Sequence, residues 1–209
     1  MPPPTLGRFS GESTWTALEL KHFLSSVRED PLYPLWFVLA MTGIRRGEAL
    51  GLRWSDVDLD RCQLMIRQTV VAAGNQIHLS TPKTTRGRRV VALDRPTVVV
   101  LRAHQVSRAA LTRGELLFHD GSGHPLHPVG VSKRFTAVVE RAGLPRIRLH
   151  DLRHTHATVA LEAGIHPKIV SERLGHATVA LTLDIYSHAL QHMQRDAADQ
   201  IAAIVFPES

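Results

Sequence analysis

The stretch LHDLRHTHAT, residues 149–158, defines both faces of one predicted helix. His150 and Arg153 lie three positions apart, so their side chains project from the same side of a helix that we expect over residues 150–163. The opposite side carries a stripe with the i, i+4, i+7 spacing of a face packed in a core. That stripe consists of Leu152, His156, Val159, Ala160 and Ala163. We therefore expect His156 to be a hydrogen-bonded interior histidine, whereas His150 and Arg153 are candidates for chemistry.

A second informative stretch is TGIRRGEALGLRW, residues 42–54. Arg45 follows a Thr-Gly pair at the start of a short predicted helix, and Glu48 lies three residues later on the same face. The carboxylate of Glu48 can therefore orient the guanidinium of Arg45, which stays charged at any relevant pH and can form two parallel hydrogen bonds to a phosphate. Taken alone, the two residues could equally form a surface ion pair.

The stretch LGHATVALTLDIYSHA, residues 174–189, contains one of the two tyrosines of the chain. Gly175 fits the end of a helix, and His176 follows it directly. Tyr186 comes ten residues later among apolar neighbours, where it could also be a core aromatic whose hydroxyl reaches water. Lys83 stands on the turn between two predicted strands, where a lysine could simply make a solvated phosphate contact.

Hydrophobic periodicity predicts a mostly helical domain with one small antiparallel β-sheet, class α+β. The strands are expected in three runs between residues 62 and 93, namely QLMIRQTVV, QIHLS and RRVVAL. Helices are expected at 14–28, 32–41, 45–52, 96–112, 128–142, 150–163, 167–175 and 179–190, followed by an amphipathic tail near 193–205. The Gly- and Pro-containing segment 115–128 is expected to be a loop.

The composition favours a soluble protein that meets nucleic acid inside the cell. The chain of 209 residues has 25 Lys+Arg against 19 Asp+Glu, a net charge of +6 and a pI of about 10.2, as is common in nucleic-acid-binding domains. Its single cysteine, Cys62, excludes an internal disulfide and suits a reducing cytosol. The longest apolar run, 35–41, is shorter than the roughly 18 residues of a membrane span. We expect a cytoplasmic, nucleoid-associated protein.

Six residues combine two guanidiniums, an ammonium, two imidazoles and a phenol: Arg45, Lys83, His150, Arg153, His176 and Tyr186. Phosphoryl transfer at a nucleic-acid backbone requires this mixture, because it needs fixed positive charge, a proton donor and acceptor, and an oxygen nucleophile. In their order and spacing these residues resemble the catalytic domain of the tyrosine recombinase (phage integrase) family. The resemblance extends from about residue 14 to residue 190.

The resemblance implies a separate catalytic role for each of these side chains. Tyr186 would attack the scissile phosphodiester to form a 3′-phosphotyrosine, and Lys83 would protonate the departing 5′-oxygen. His150 would accept the proton of Tyr186. Charge growing on the phosphate would be stabilised by Arg45, Arg153 and His176, with Glu48 holding Arg45 or His150. With these fixed cations, no metal ion and no other cofactor is required.

The resemblance also implies double-stranded DNA as the partner, a homotetramer on paired sites that could be a monomer in isolation, and accessory DNA-bending proteins. Further arginines are expected to contact DNA phosphates: Arg86, Arg88, Arg89, Arg134, Arg146 and Arg148. We divide the chain into a flexible N-terminal segment (1–13), the catalytic domain (14–190) and a C-terminal tail helix (191–209) that packs on its own subunit or on a neighbour. Because members usually carry an N-terminal DNA clamp, we expect a fragment or a naturally short member.

Two other functions remain compatible with the sequence: a DNA-binding module of the same fold without catalysis, and a type IB topoisomerase-like enzyme that relaxes DNA without paired sites. A zinc site at His150, His154 and His156 is disfavoured, because Asp151 is the sole additional ligand type beside them. His154 is expected to face solvent or a neighbouring helix.

Overall fold

The computed structural model describes residues 14–74, 76–81, 88–108, 115–176, 178–179, 198 and 201–206. Helices in this part of the chain are α1 (Ala17–Ser26), α2 (Tyr33–Thr42), α3 (Arg46–Leu50), α4 (Arg95–Arg108), α5 (Pro128–Arg141), α6 (Asp151–Glu162) and α7 (Pro167–Leu174), with a 3₁₀ turn at Trp54–Asp56. The strands are β1 (Val57–Asp58), β2 (Gln63–Ile66), β3 (Thr69–Ala73), β4 (Gln76–Ser80) and β5 (Arg89–Ala92). The α+β class predicted from the sequence is confirmed.

The helix boundaries follow local capping chemistry. Thr16 caps α1, since its hydroxyl accepts a hydrogen bond from the Glu19 backbone N–H at 3.2 Å, while the Glu19 carboxylate accepts one from the Thr16 backbone N–H at 2.7 Å. Helix α2 ends at Gly43, whose φ of 64° is a left-handed conformation that glycine adopts without strain. The predicted helix ends in this region therefore agree with the structure to within a few residues.

An aromatic cluster ties the N-terminal helices to α5. The rings of Trp15, Phe23, Trp36 and Phe135 are all buried, and the centroid of Phe135 lies 5.5 Å from that of Phe23 and 5.7 Å from that of Trp36. Rings at these separations bury much apolar surface and prefer tilted or edge-on contact. The cluster anchors α2, which leads directly into the stretch 42–54.

The prediction of a single sheet is wrong, because the described strands form two antiparallel sheets. One has the order β1-β2-β5, with Met65 opposite Val90, and the other is the β3-β4 hairpin. The run QLMIRQTVV, predicted as one strand, breaks at Arg67 and Gln68. It breaks because the buried side chain of Gln68 turns away to donate a hydrogen bond of 2.7 Å to the carbonyl oxygen of Gly51 and accepts one from Arg53.

Helices α2, α6 and α7 pack closely behind the stretch 42–54. A Cβ atom placed on Gly43 would lie 2.7 Å from both His156 of α6 and Leu174 of α7, so these helices meet at a position where a side chain does not fit. His156 is an interior histidine, as predicted: its Nδ1 lies 3.1 Å from the carbonyl oxygen of Ala40, and burial lowers its pKa to about 4.

The described part of the C-terminal tail is short. Residues 201–205 are helical and exposed. Outside the described residues lie positions 180–190 of the predicted helix 179–190, most of the tail 191–209 and the segment 1–13. The predicted loop 115–128 has two isolated bridges, Arg53 with Leu116 and His119 with Pro125. None of the helices in the described ranges has the length and apolar character needed to cross a membrane.

Candidate active site

Arg45 is held at the start of α3 by Glu48. The backbone N–H of Arg45 donates to Oε2 of Glu48 at 2.8 Å, and its Nη1 donates to Oε1 at 2.9 Å. The Glu48 side chain is only 6% exposed, whereas that of Arg45 is 45% exposed. A buried carboxylate thus fixes a guanidinium that remains accessible to a ligand, and of the two predicted partners for Glu48, Arg45 is the one that it contacts.

Arg153 reaches the same stretch of backbone from α6. Its Nη1 donates a hydrogen bond of 2.8 Å to the carbonyl oxygen of Gly43, two residues before Arg45. The residue is only 4% exposed, so its guanidinium is enclosed by protein on most sides. Because helix α2 ends at Gly43, the carbonyl that Arg153 uses belongs to the turn that also begins α3.

His176 is placed beside these two arginines by the turn that ends α7. Gly175 has a φ of 67°, and the His176 backbone N–H donates to the carbonyl oxygen of Ser171 at 3.0 Å. Nη2 of Arg45 donates to the carbonyl oxygen of Gly175 at 3.2 Å. Arg45 is therefore bonded to the residue that directly precedes His176.

Burial and the positive charges around His176 keep its ring neutral. Burial, followed by the positive charges of Arg153 and Arg45, lowers the pKa of His176 to about 4. His154 and Arg89 act in the same direction. Near pH 7 the ring is therefore an uncharged hydrogen-bonding group in an electropositive site, and the positive charge comes from the guanidiniums.

His150 lies at the N-terminus of α6 and stacks edge-on against His154. Their ring centroids are 5.1 Å apart with an interplanar angle of 82°. Partial withdrawal from water, followed by the charges of His154 and Arg153, lowers the pKa of His150, against the opposing influence of Asp151. A neutral imidazole near pH 7 can accept a proton, which is the role that the sequence predicts for His150.

Arg89 does not lie where the sequence predicts it. We expected an exposed phosphate contact, but its side chain is only 8% exposed and its Nη2 lies 2.9 Å from Oε2 of Glu48. Strand β5 alternates in burial, so Arg89 faces the same side as the fully buried Val91. The period-2 pattern of RRVVA could have shown this inward direction, although not the partner that Arg89 finds there.

The remaining predicted DNA contacts differ in how they are paired. Arg88 and Arg146 are exposed, and the ion pairs among the described residues involve neither of them. Arg134 pairs with Asp30 at 2.9 Å, which partly neutralises its charge. Arg148 is 71% exposed and pairs with Asp151 at 2.8 Å. All four arginines remain predicted DNA contacts.

A cleft with a volume of about 500 Å³ opens beside His150. Arg46, Arg146 and Arg148 line it together with the hydroxyl groups of Ser132 and Thr136. Nη1 of Arg46 donates to the Ser132 hydroxyl at 2.5 Å. Three guanidiniums against the single carboxylate of Asp151 make this cleft electropositive.

Three predicted site residues, Lys83, Arg86 and Tyr186, lie outside the described residues. The structure brings together Arg45, Glu48, Arg153 and His176, with His150 at the neighbouring helix start. Sequence reasoning missed Arg89 and the buried His154 as members of this cluster. In the described ranges no group of three or more His, Cys, Asp or Glu side chains could hold a metal ion.

Comparisons with known proteins show the family and the fold of this chain. The phage integrase family matches residues 19–193. A protein described as "Tyrosine recombinase XerC-like", from Caldanaerobacter subterraneus subsp. tengcongensis, is 28% identical over 208 residues, covering 90% of this chain and 53% of the relative. The chain thus spans about half the length of the curated relatives it matches.

Solved structures show the same fold. The Tn1549 transposon integrase, in complex with transposon right end DNA, has a TM-score of 0.81 at 23% identity and covers 93% of this chain and 68% of that one. The crystal structure of XerA recombinase has a TM-score of 0.73 at 26% identity and covers 99% of this chain and 68% of that one.

Proposed function

This chain belongs to the phage integrase family of tyrosine recombinases, and on that premise we propose that it cleaves and rejoins DNA strands at specific sites through a 3′-phosphotyrosine intermediate. The observation that carries the proposal is the convergence of Arg45, Arg153 and His176 from three separate elements. Arg45 is bonded to Gly175, Arg153 is bonded to Gly43, and the charges of both arginines act on His176.

The main energetic obstacle in this reaction is the phenol. A tyrosine hydroxyl has a pKa near 10, so ionising it at pH 7 costs about 4 kcal/mol. Fixed guanidiniums reduce this cost by favouring the phenolate, and they stabilise charge on the non-bridging phosphate oxygens by roughly 3 kcal/mol for each well-placed donor. Arg45 and Arg153 supply that charge, and the neutral ring of His176 adds a hydrogen bond.

Each bond change and proton transfer in this step is assigned to a side chain of the site. The Tyr186 oxygen forms a bond to phosphorus while the bond from phosphorus to the 5′-oxygen breaks. His150 takes the proton of Tyr186, and Lys83 gives a proton to the 5′-oxygen. The phosphotyrosine ester retains the bond energy, so attack by a 5′-hydroxyl reverses the step without ATP.

Tyr186 is favoured as the nucleophile over the other tyrosine. Tyr33 lies at the first position of α2, where its ring packs edge-on against Phe37 with centroids 5.7 Å apart. It is therefore part of the N-terminal helical packing. Tyr186, by contrast, follows His176 by ten residues, which is the spacing of the nucleophile in the family pattern that this sequence resembles.

The partner proposed for this site is double-stranded DNA. The electropositive cleft lined by Arg46, Arg146 and Arg148 adjoins His150, so a backbone that passes His150 meets three further guanidiniums. Exchange between two duplexes requires four strand cleavages, and we propose a homotetramer on paired sites, assisted by DNA-bending proteins and acting on DNA in the cytoplasm. The names of the relatives, recombinases and integrases, favour strand exchange over the binding-only and topoisomerase-like alternatives.

A covalent-trapping experiment tests the proposal. The probe is a DNA duplex that is selected from a random-sequence pool by its affinity for the 209-residue chain. The duplex carries a nick, so that the short fragment released by cleavage dissociates and the strand cannot be rejoined. The parent chain should form an adduct that survives denaturing electrophoresis, and Tyr186→Phe should form none while binding the duplex normally. An adduct formed by Tyr186→Phe would remove Tyr186 as nucleophile, and binding without any adduct from the parent would favour the non-catalytic alternative.

A further inference from the structure

Arg89 occupies an interior position that the proposed mechanism does not use. It lies on β5 with its side chain on the same face as Val91, and only 8% of that side chain is exposed. Its Nε, Nη1 and Nη2 all donate to protein acceptors, namely the carboxylate of Glu48 and the carbonyl oxygen of Arg173. Whatever Arg89 contributes to the site must therefore act through the residues that it contacts.

The first of these contacts is a two-pronged ion pair with Glu48. Nη1 of Arg89 donates to Oε1 of Glu48 at 3.0 Å, and Nη2 donates to Oε2 at 2.9 Å. The same two oxygens also accept the side-chain and backbone hydrogen bonds of Arg45. Because paired parallel bonds fix the plane of a carboxylate, Arg89 determines the orientation in which Glu48 holds Arg45.

The second contact is with the end of α7. Nε of Arg89 donates to the carbonyl oxygen of Arg173 at 2.8 Å, and a Cβ atom placed on Gly175 would lie 2.8 Å from Nη1 of Arg89. Arg45 contacts the same turn through the carbonyl oxygen of Gly175. The backbone directly before His176 is therefore held between two guanidiniums that share one carboxylate.

We propose that Arg89 is a positioning residue for strand cleavage, which holds Arg45 through Glu48 and holds His176 through the carbonyl oxygen of Arg173. This inference rests on the proposed function of the chain. Arg89 itself does not touch the DNA. Because a displacement of about 1 Å in a catalytic group can slow a reaction about a hundredfold, loss of Arg89 should slow cleavage without weakening DNA binding.

The same geometry predicts a change in pH dependence. Burial acts to raise the pKa of Glu48, but the hydrogen bonds and charge of Arg89, with those of Arg45, outweigh it and hold that pKa below its usual value. Arg89 faces Glu48 from β5, and Arg45 faces it from the start of α3. Without Arg89, burial remains and only the half-exposed Arg45 opposes it, so Glu48 should take up a proton at a higher pH. As the pH is lowered, cleavage should therefore be lost at a higher pH in the variant without Arg89 than in the parent.

The test compares Arg89→Met with Arg102→Met, which removes the same charge from a half-exposed side chain that pairs with Asp60 in a separate cleft. Both variants and the parent are bound to the selected, nicked duplex, and the rate of covalent cleavage within the bound complex is measured from acid to neutral pH. Arg89→Met should bind normally and cleave about a hundredfold more slowly, with its acid limb moved to higher pH. Arg102→Met should bind the duplex like the parent, and its bound complexes should cleave at the parental rate with the parental pH profile.

A double variant covers the case in which Arg89→Met fails to fold because Glu48 is left buried with half of its partners. Arg89→Met combined with Glu48→Gln removes both charges. It should cleave much less than a hundredfold more slowly than Glu48→Gln alone, because in that background only the bond from Arg89 to the carbonyl oxygen of Arg173 is left to lose. Independent, multiplying losses from the two changes would overturn the proposal. So would parental cleavage by folded Arg89→Met. Absence of an adduct from the parent would instead refute the proposed function.

Discussion

Arg153 donates a hydrogen bond of 2.8 Å to the carbonyl oxygen of Gly43, which lies 110 residues earlier in the chain. This bond joins α6 to the turn between α2 and α3, and Arg45 begins directly after that turn. The two predicted catalytic guanidiniums are thus positioned relative to each other by one short piece of backbone. A change at either end of the bond should therefore affect the site.

Arg153→Lys should impair cleavage severely although it keeps the positive charge. A lysine ammonium is a point charge that cannot reproduce the fork of donors through which arginine holds both a carbonyl and a phosphate. We expect the cleavage rate in bound complexes to fall by about a hundredfold or more, with little change in affinity. Arg134→Lys, at a half-exposed arginine that pairs with Asp30, serves as the matched control. Near-parental cleavage by Arg153→Lys would show that Arg153 is peripheral.

Gly43→Ala should destabilise the fold more than the same change at Gly143. Both residues have a left-handed φ, of 64° and 66°, which costs an alanine about 1–2 kcal/mol. At Gly43 the new Cβ would also lie 2.7 Å from His156 and Leu174, whereas nothing lies within 4 Å of one at Gly143. The extra clash should add about 1–3 kcal/mol, measurable by urea denaturation. Equal losses at the two glycines would contradict the close packing of α2, α6 and α7.

Acid should destabilise the chain partly through His156. Burial lowers its pKa from 6.5 to about 4 in the folded state, so between these values the unfolded chain binds a proton that the folded chain does not. Stability should therefore fall as the pH drops from 6.5 to 4, by about 3 kcal/mol once the pH is below 4. His156→Gln should reduce the difference in unfolding free energy between pH 7 and pH 4.5 by about 2 kcal/mol. His78→Gln, at an exposed strand position, is the matched control.

Arg146→Ala should weaken DNA binding in a salt-dependent way. Each phosphate contact that is lost lowers the slope of log affinity against log salt by roughly 0.9. Arg102→Ala is the matched control, because Arg102 pairs with Asp60 in a separate cleft that also contains Asp56 and Asp58. Binding titrations over a range of salt concentrations measure both slopes. An unchanged slope for Arg146→Ala would mean that the cleft beside His150 does not receive DNA.

The helices could be predicted from the sequence because their signals are local. The three-residue spacing of His150 and Arg153 and the glycine at position 43 are signals that act within one or two turns of a helix. The interior position of His156 followed from the same periodicity. For Glu48, the spacing identified Arg45 as a candidate partner, and the structure shows that bond.

The sheets and the role of Arg89 could not be predicted, because they depend on contacts far apart in sequence. The strand break at Gln68 is stabilised by a hydrogen bond to Gly51, and the burial of Arg89 is compensated by Glu48, which lies 41 residues earlier in the chain. A run of arginines after a turn resembles an exposed basic surface unless the partner carboxylate is known. Alternation along β5 shows the direction of a side chain but not what it meets.

The most direct test of the central claim is to identify the amino acid that becomes attached to DNA. The trapped adduct is digested with nuclease and protease, and the peptide that carries the residual nucleotide is sequenced by mass spectrometry. We predict a single site, with a 3′-phosphate esterified to the hydroxyl of Tyr186. A nucleotide attached to Tyr33, to a serine, or through a 5′-phosphate would contradict the proposal that the site around Arg45, Arg153 and His176 activates Tyr186.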